Sequence, residues 1–133
     1  MKNIFTIDTE DWFHANYEDG LFENNNKVKS TVEENTEVYL KAFEENGATA
    51  TFFVLGFVAE QHPELVRRIA DAGHEIASHG YGHQLVYKQT LEEFRQDVYR
   101  SKCMLEDLIG KPVVGYRAPS WSITEDSFWA LGV

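Results

Sequence analysis

With a single cysteine, the 133-residue chain can form no internal disulfide and no cysteine zinc site. That residue, Cys103, lies in a helical pattern and reads as a small packing residue. Nor is there an uninterrupted apolar run approaching the roughly 20 residues a bilayer span needs, so no membrane span is expected. Basic residues are scarce: 12 Lys and Arg stand against 22 Asp and Glu, a formal charge of −10. Such a surface repels phosphate backbones and anionic lipid, which argues against nucleic acid as the main partner and favours a neutral or cationic substrate, or a metal ion. The start, MKNIFTIDTEDW, lacks the basic-then-apolar form of a signal peptide, so a cytoplasmic location is the default expectation. There is no internal repeat or low-complexity tract, and the length suits one domain with one core.

What is present alternates between strand and helix patterns. IFTI (4–7) is a short β-type run ending in acids. Ser30 opens a segment with cap-type residues, Glu33 and Glu34 in its first turn, apolar residues at near-helical intervals and a stop at Gly47. ATATFFVLG (48–56) reads as a buried strand, Pro63 as the first residue of a second helix ending before Gly73, and HEIAS (74–78) as a third strand. Thr90 and Glu93 form a capping-box pattern for a long helix that stops at Gly110. VVGYR (113–117) reads as a fourth strand, Thr124 caps a final apolar segment, and ENNNK (23–27) reads as a polar loop. This order predicts an α/β fold with a parallel sheet. In such sheets, function collects at the C-terminal ends of the strands.

Three polar clusters fall at those ends: DTEDWFH (8–14), SHGYGH (78–83) and RAPSW (117–121). Alone, His79 and His83 suit either a metal clamp or a solvent-facing loop. Four positions apart, they can point the same way if residues 79–83 form a helical turn. Together with a carboxylate they would make a three-ligand site for a borderline divalent ion such as zinc. Three acids within residues 8–11 either form a solvated turn or need a cation or proton among them. In the catalytic reading one carboxylate binds the ion and Asp8 takes a proton from water. His62 and His74 read as structural or exposed, and His14, beside the acids, as a possible contact to metal or substrate. Trp12, Phe13, Tyr81 and Trp121 could present flat faces to sugar rings, or simply pack.

The acidic strand end with Asp8, the pair His79 and His83, and the Arg-x-Pro turn of Arg117 and Pro119 resemble the polysaccharide deacetylase family, also called NodB-type or carbohydrate esterase family four. TATFFVLG looks like that family's second strand. The resemblance implies a distorted parallel (β/α) barrel, here its first four or so β/α units, with residues 1–133 as the N-terminal part of the catalytic domain. It implies removal of N-acetyl groups from amino sugars of an oligo- or polysaccharide with a divalent metal: zinc, or alternatively cobalt or nickel. Carried over, Asp8 is the general base, His79 and His83 bind the ion, Arg117 orients Asp8, and the Ser120 backbone N–H helps hold the oxyanion. His14, Trp12, Tyr81, Pro119 and Trp121 fall to the substrate side.

Two departures from the family pattern bear on the site. Thr9 stands where a second adjacent aspartate is usual, so the metal carboxylate is Glu10 or Asp11. Glu10 is favoured, because in an extended chain residues two apart point the same way. DTEDWFH looks more like the family's exopolysaccharide-associated branch. The family's later motifs, including a general-acid histidine, fall beyond its fourth strand, so the chain reads as part of a longer protein; on its own, protonation of the leaving amine would fall to water or to a substitute such as His14. Other readings are a non-catalytic carbohydrate-binding or scaffold fragment of the same fold, and an iron enzyme with two histidines and one carboxylate. Oligomeric state has no signature in the sequence.

Overall fold

A computed structural model describes residues 3–15 and 28–133, and the ENNNK segment expected as a loop lies outside them. Strands β1 (Phe5–Thr9), β2 (Ala50–Val54) and β3 (Glu75–Ser78) run parallel, side by side in sequence order. Their register aligns Thr9 with Val54 and Val54 with Ser78. Glu10 and His79 therefore leave their strands at the same level, on either side of β2. Two strand spacings, roughly 10 Å, separate their backbones, a gap that two inward-reaching side chains can close.

The helices pack the sheet through a main core, with a second, smaller cluster of Val86, Phe94 and Ala130 beside it. Helix α1 (Val32–Glu45) starts at Thr31 with Glu33 and Glu34 in its first turn, where carboxylates oppose the positive end of the helix dipole. Helix α3 (Pro63–Asp71) begins on its proline and buries Leu65, Val66 and Ile69. Helix α4 (Leu91–Ile109) has the complete capping box, with the Glu93 carboxylate accepting from the Thr90 N–H at 2.7 Å, and ends at Gly110 in the left-handed conformation. Phe52, Val54, Leu65, Ile69 and Leu105 are sealed from solvent in the main cluster. His74 is structural: buried against Phe43 and Phe52, its Nδ1 accepts the Ala50 N–H at 3.2 Å. His62, half-buried, faces Glu33. Cys103 is a free, partly buried thiol on α4. Among the described residues, no helix is long and apolar enough to cross a membrane.

Four features differ from the sequence expectation. The expected fourth strand (113–117) is a single bridge between Ser78 and Tyr116, closed by Ser78 N–H to Gly115 O (2.8 Å) and Arg117 N–H to Ser78 O (2.9 Å). Here β3 ends at Ser78, and Pro119 opens a tight turn two residues past Arg117, leaving no length for a ladder. The final segment is capped at Thr124 as expected but winds as a 3-10 helix over Glu125–Gly132. An extra helix, α2 (Gly56–Gln61), follows β2 directly. Residues 79–83 form an irregular loop instead of a helical turn, with Gly80 at φ 77° and His83 at φ 55°.

Helix α2 explains the glycine that closes VLG. The N–H groups of Gly56 and Phe57 donate to the carbonyls of Gly80 and Tyr81 at 2.8 and 2.9 Å, so the histidine loop satisfies the helix N-terminus. A Cβ at Gly56 would lie 2.7 Å from Tyr81 Cδ2 and 3.2 Å from its Cα. Gly56→Ala is expected to lower the unfolding free energy by about 1–3 kcal/mol, the usual overpacking range, measured by urea denaturation.

Candidate metal centre

Glu10, His79 and His83 converge where the strands end. Each offers one ligand atom, and the three atoms lie within 4.8 Å of one another. His79 is buried, and its Nδ1 sits 2.8 Å from the Arg117 carbonyl. A carbonyl only accepts, so Nδ1 carries the hydrogen and Nε2 keeps a lone pair for a cation. His83 follows in the left-handed region, a backbone state rare for a side chain that carries a Cβ and concentrated at functional sites. Its ring packs edge-on against His79, with centroids 5.1 Å apart.

The electrostatics suit a cation. Desolvation lowers the His79 pKa, and desolvation followed by the neighbouring His79 brings His83 down to about 4, so both rings are neutral at neutral pH. Burial, then the charges of Asp8 and Asp11, push Glu10 up to about 7. Glu10 Oε2 lies 3.2 Å from His83 Nε2, yet among the described residues it has no hydrogen-bond partner. Two neutral imidazoles and one under-satisfied, partly buried carboxylate form a donor set that fits a divalent ion.

The other acids have separate tasks. Asp8 is held by Arg117 at 2.5 Å through Oδ1, while its Oδ2 is 4.0 Å from His79 Nε2. The Arg117 guanidinium also lies over the Phe53 ring at 3.9 Å, which fixes its approach. Asp11, the other carboxylate expected as a metal ligand, is not in the group. It is buried, accepting from the Thr31 N–H at 2.8 Å and from the Ser30 hydroxyl at 2.6 Å. Asp11 thus ties the acidic turn to the start of α1, a role no local spacing announces.

One open cavity of about 660 Å³ lies over the site, lined by Asp8, Glu10, His79, His83, Arg117 and Ser120, with Trp121 at its edge. Trp121 is 92% exposed, and both Ser120 and Trp121 are left-handed, at φ 49° and 50°. Four residues expected on the substrate side take other positions. His14 is buried, with its Nδ1 accepting the Asp11 N–H at 2.9 Å; desolvation lowers its pKa to about 4, which removes it as a substitute acid at neutral pH. Tyr81 turns away from the cavity: its hydroxyl donates to Glu60 of α2 at 2.8 Å, and Arg100 of α4 lies 3.5 Å over its ring. Pro119 is buried within the turn that carries Ser120. Trp12, 61% exposed, is not among the residues lining this cavity, and Phe13 is buried.

A parallel α/β fold whose strand ends gather two histidines and a carboxylate defines a protein of the (β/α) type with a candidate metal site. The chain belongs to the polysaccharide deacetylase family: the family model of that name matches residues 12–132. That match begins after Asp8 and Glu10, so the acidic strand end joins the family pattern through the geometry above. A peptidoglycan deacetylase of Helicobacter pylori is 35% identical over 85 residues, 64% of this chain and 29% of the relative. A peptidoglycan-N-acetylglucosamine deacetylase of Bacillus cereus is 35% identical over 96 residues, 71% of this chain and 35% of the relative. A solved Mycobacterium smegmatis protein described as a polysaccharide deacetylase superposes with a TM-score of 0.81 at 32% identity, over 96% of this chain and 46% of its own. The chain thus spans about a third of the length of these curated relatives, and its fold is part of the family's (β/α) barrel.

The Glu10 shift sets a pH dependence. A carboxylate raised from 4.5 to about 7 favours the folded state below pH 4.5, and that contribution is lost as pH rises through 7. His83, lowered from 6.5 to about 4, contributes above 6.5 and loses that contribution as pH falls through 4. A divalent ion held by Glu10, His79 and His83 would take the place of the proton on Glu10. Added zinc is therefore expected to raise the melting temperature more at pH 8 than at pH 5.5, read by thermal unfolding with and without metal; an equal rise at both would contradict the Glu10 assignment.

Proposed function

We propose that the chain is part of a metal-dependent hydrolase that removes N-acetyl groups from amino sugars of a polysaccharide or related glycan. The observation that carries this reading is the convergence of Glu10, His79 and His83 beside the Arg117-held Asp8 on one open cavity. A bound divalent ion, zinc by the nitrogen and oxygen donor set, would supply Lewis-acid polarisation of the acetyl carbonyl and a more acidic water.

The chain's own residues do the rest. Asp8 Oδ2, left open by the one-sided Arg117 contact, takes the proton of the attacking water. Arg117 keeps Asp8 aimed. Ser120, on the cavity wall, offers its backbone N–H to the developing oxyanion, and Trp121 offers a flat face to a sugar ring. The formal charge of −10 is compatible with a neutral glycan. The Bacillus cereus relative's name makes N-acetylglucosamine oligomers the first substrates to test.

Acetate release from N-acetylglucosamine oligomers should require divalent metal and stop with chelator. Asp8→Asn should lower that release by about 10²–10⁴-fold, the usual contribution of a general base, with metal still bound. His79→Ala should lose most metal affinity, measured by chelator competition. The exposed faces of Trp121 and Trp12 favour one other reading, a glycan-binding module without turnover; oligomer binding with no acetate released under any metal would establish it instead.

A further inference from the structure

His79 and His83 lie four residues apart in a loop with no helical ladder, so something outside the loop must set the direction of the three peptides between them. Two of their carbonyls, of Gly80 and Tyr81, accept from the N-terminus of α2. Their N–H groups point the other way, toward α4. There the Asp97 carboxylate accepts the Tyr81 N–H at 3.0 Å through Oδ2, and it also accepts the Gly82 N–H. Behind these contacts Gly80 N–H donates to Ser78 Oγ at 3.1 Å, and Ser78 Oγ pairs with Ser101 Oγ of α4 at 2.9 Å.

We infer that Asp97 is the positioning residue of the metal centre: by holding the N–H groups of Tyr81 and Gly82, its carboxylate aims the flanking His79 and His83 at one point. This rests on the reading of Glu10, His79 and His83 as a metal centre. Gly80 supports it independently, since a Cβ there would lie 2.7 Å from Asp97 Oδ2, and the φ of 77° is one that side chains rarely adopt. The glycine thus admits the carboxylate to the loop backbone. One turn further along α4, Arg100 covers the Tyr81 ring and keeps that side chain out of the cavity. A carboxylate suits two converging donors because both of its oxygens only accept; an asparagine would turn its own N–H₂ toward one of them.

The test uses the full chain with Asp97→Asn and Asp97→Ala, titrated with Co²⁺ and followed by visible absorption and chelator competition. Both variants are expected to bind Co²⁺ about 10–100-fold more weakly, the range seen when outer partners of metal ligands are removed, with altered absorption bands. Thr90→Ala serves as the stability control. It removes the α4 cap without touching the loop, so it should lower the melting temperature and leave the Co²⁺ constant and spectrum unchanged. Folded Asp97 variants with the parent constant and spectrum would overturn the inference and leave the metal centre standing. If the parent itself binds no Co²⁺, the metal-centre reading falls. Amide exchange then decides the loop contact: acceleration at Tyr81 and Gly82 in Asp97→Ala upholds the hold by Asp97, and unchanged exchange overturns it.

Discussion

A loop without secondary structure must still satisfy its backbone hydrogen bonds, and residues 79–83 make several of theirs with groups brought from distant elements. Carbonyls go to the first turn of α2, N–H groups to Asp97 of α4, and the His79 N–H to the Val54 carbonyl at the end of β2. Each of these bonds faces a buried or half-buried partner, where an unmade bond would carry the desolvation penalty of a buried, unsatisfied polar group. The direction of both imidazoles follows from that network, and with it everything the cavity can bind.

The same economy governs the acids. Asp8, Glu10 and Asp11 fall within four residues, yet each meets a different environment: an arginine, a pair of imidazoles, and a helix start. Burial first, and then the like charges of Asp8 and Asp11, favour the neutral form of Glu10, whose Oε2 has no hydrogen-bond partner among the described residues and whose pKa is raised to about 7. A cation there relieves at once the burial of Glu10 and its repulsion by Asp8 and Asp11. The metal-type donor set and the electrostatic strain of the acidic strand end are therefore one feature viewed from two sides.

Helices α1, α3 and α4 were legible because each carries its own start signal: Thr31 with acids in the first turn, Pro63 as first residue, and the Thr90–Glu93 box. Helix α2 carries none. Its N-terminal N–H groups are capped by carbonyls 24 positions along the chain, from Gly56 to Gly80 and from Phe57 to Tyr81, so no local pattern could mark it. The bridge at Tyr116 read as a strand because Val113, Val114 and Tyr116 have the right composition; length of pairing is set by the partner, and β3 ends at Ser78.

At the site, residue types and spacing brought forward His79 and His83 and a carboxylate that was either Glu10 or Asp11, since two-apart alternation in an extended segment and a histidine pair after a strand are local properties. They were also enough to join Arg117 to Asp8 through the family resemblance. Whether His14 and Tyr81 faced the cavity was decided only by packing. Both are flanked by residues of equal promise, and their direction depends on where Asp11, Glu60 and Arg100 sit in space. Periodicity determines which face of an element is apolar; the aim of a side chain in an irregular loop belongs to the tertiary structure, because its hydrogen-bond partners come from distant parts of the chain.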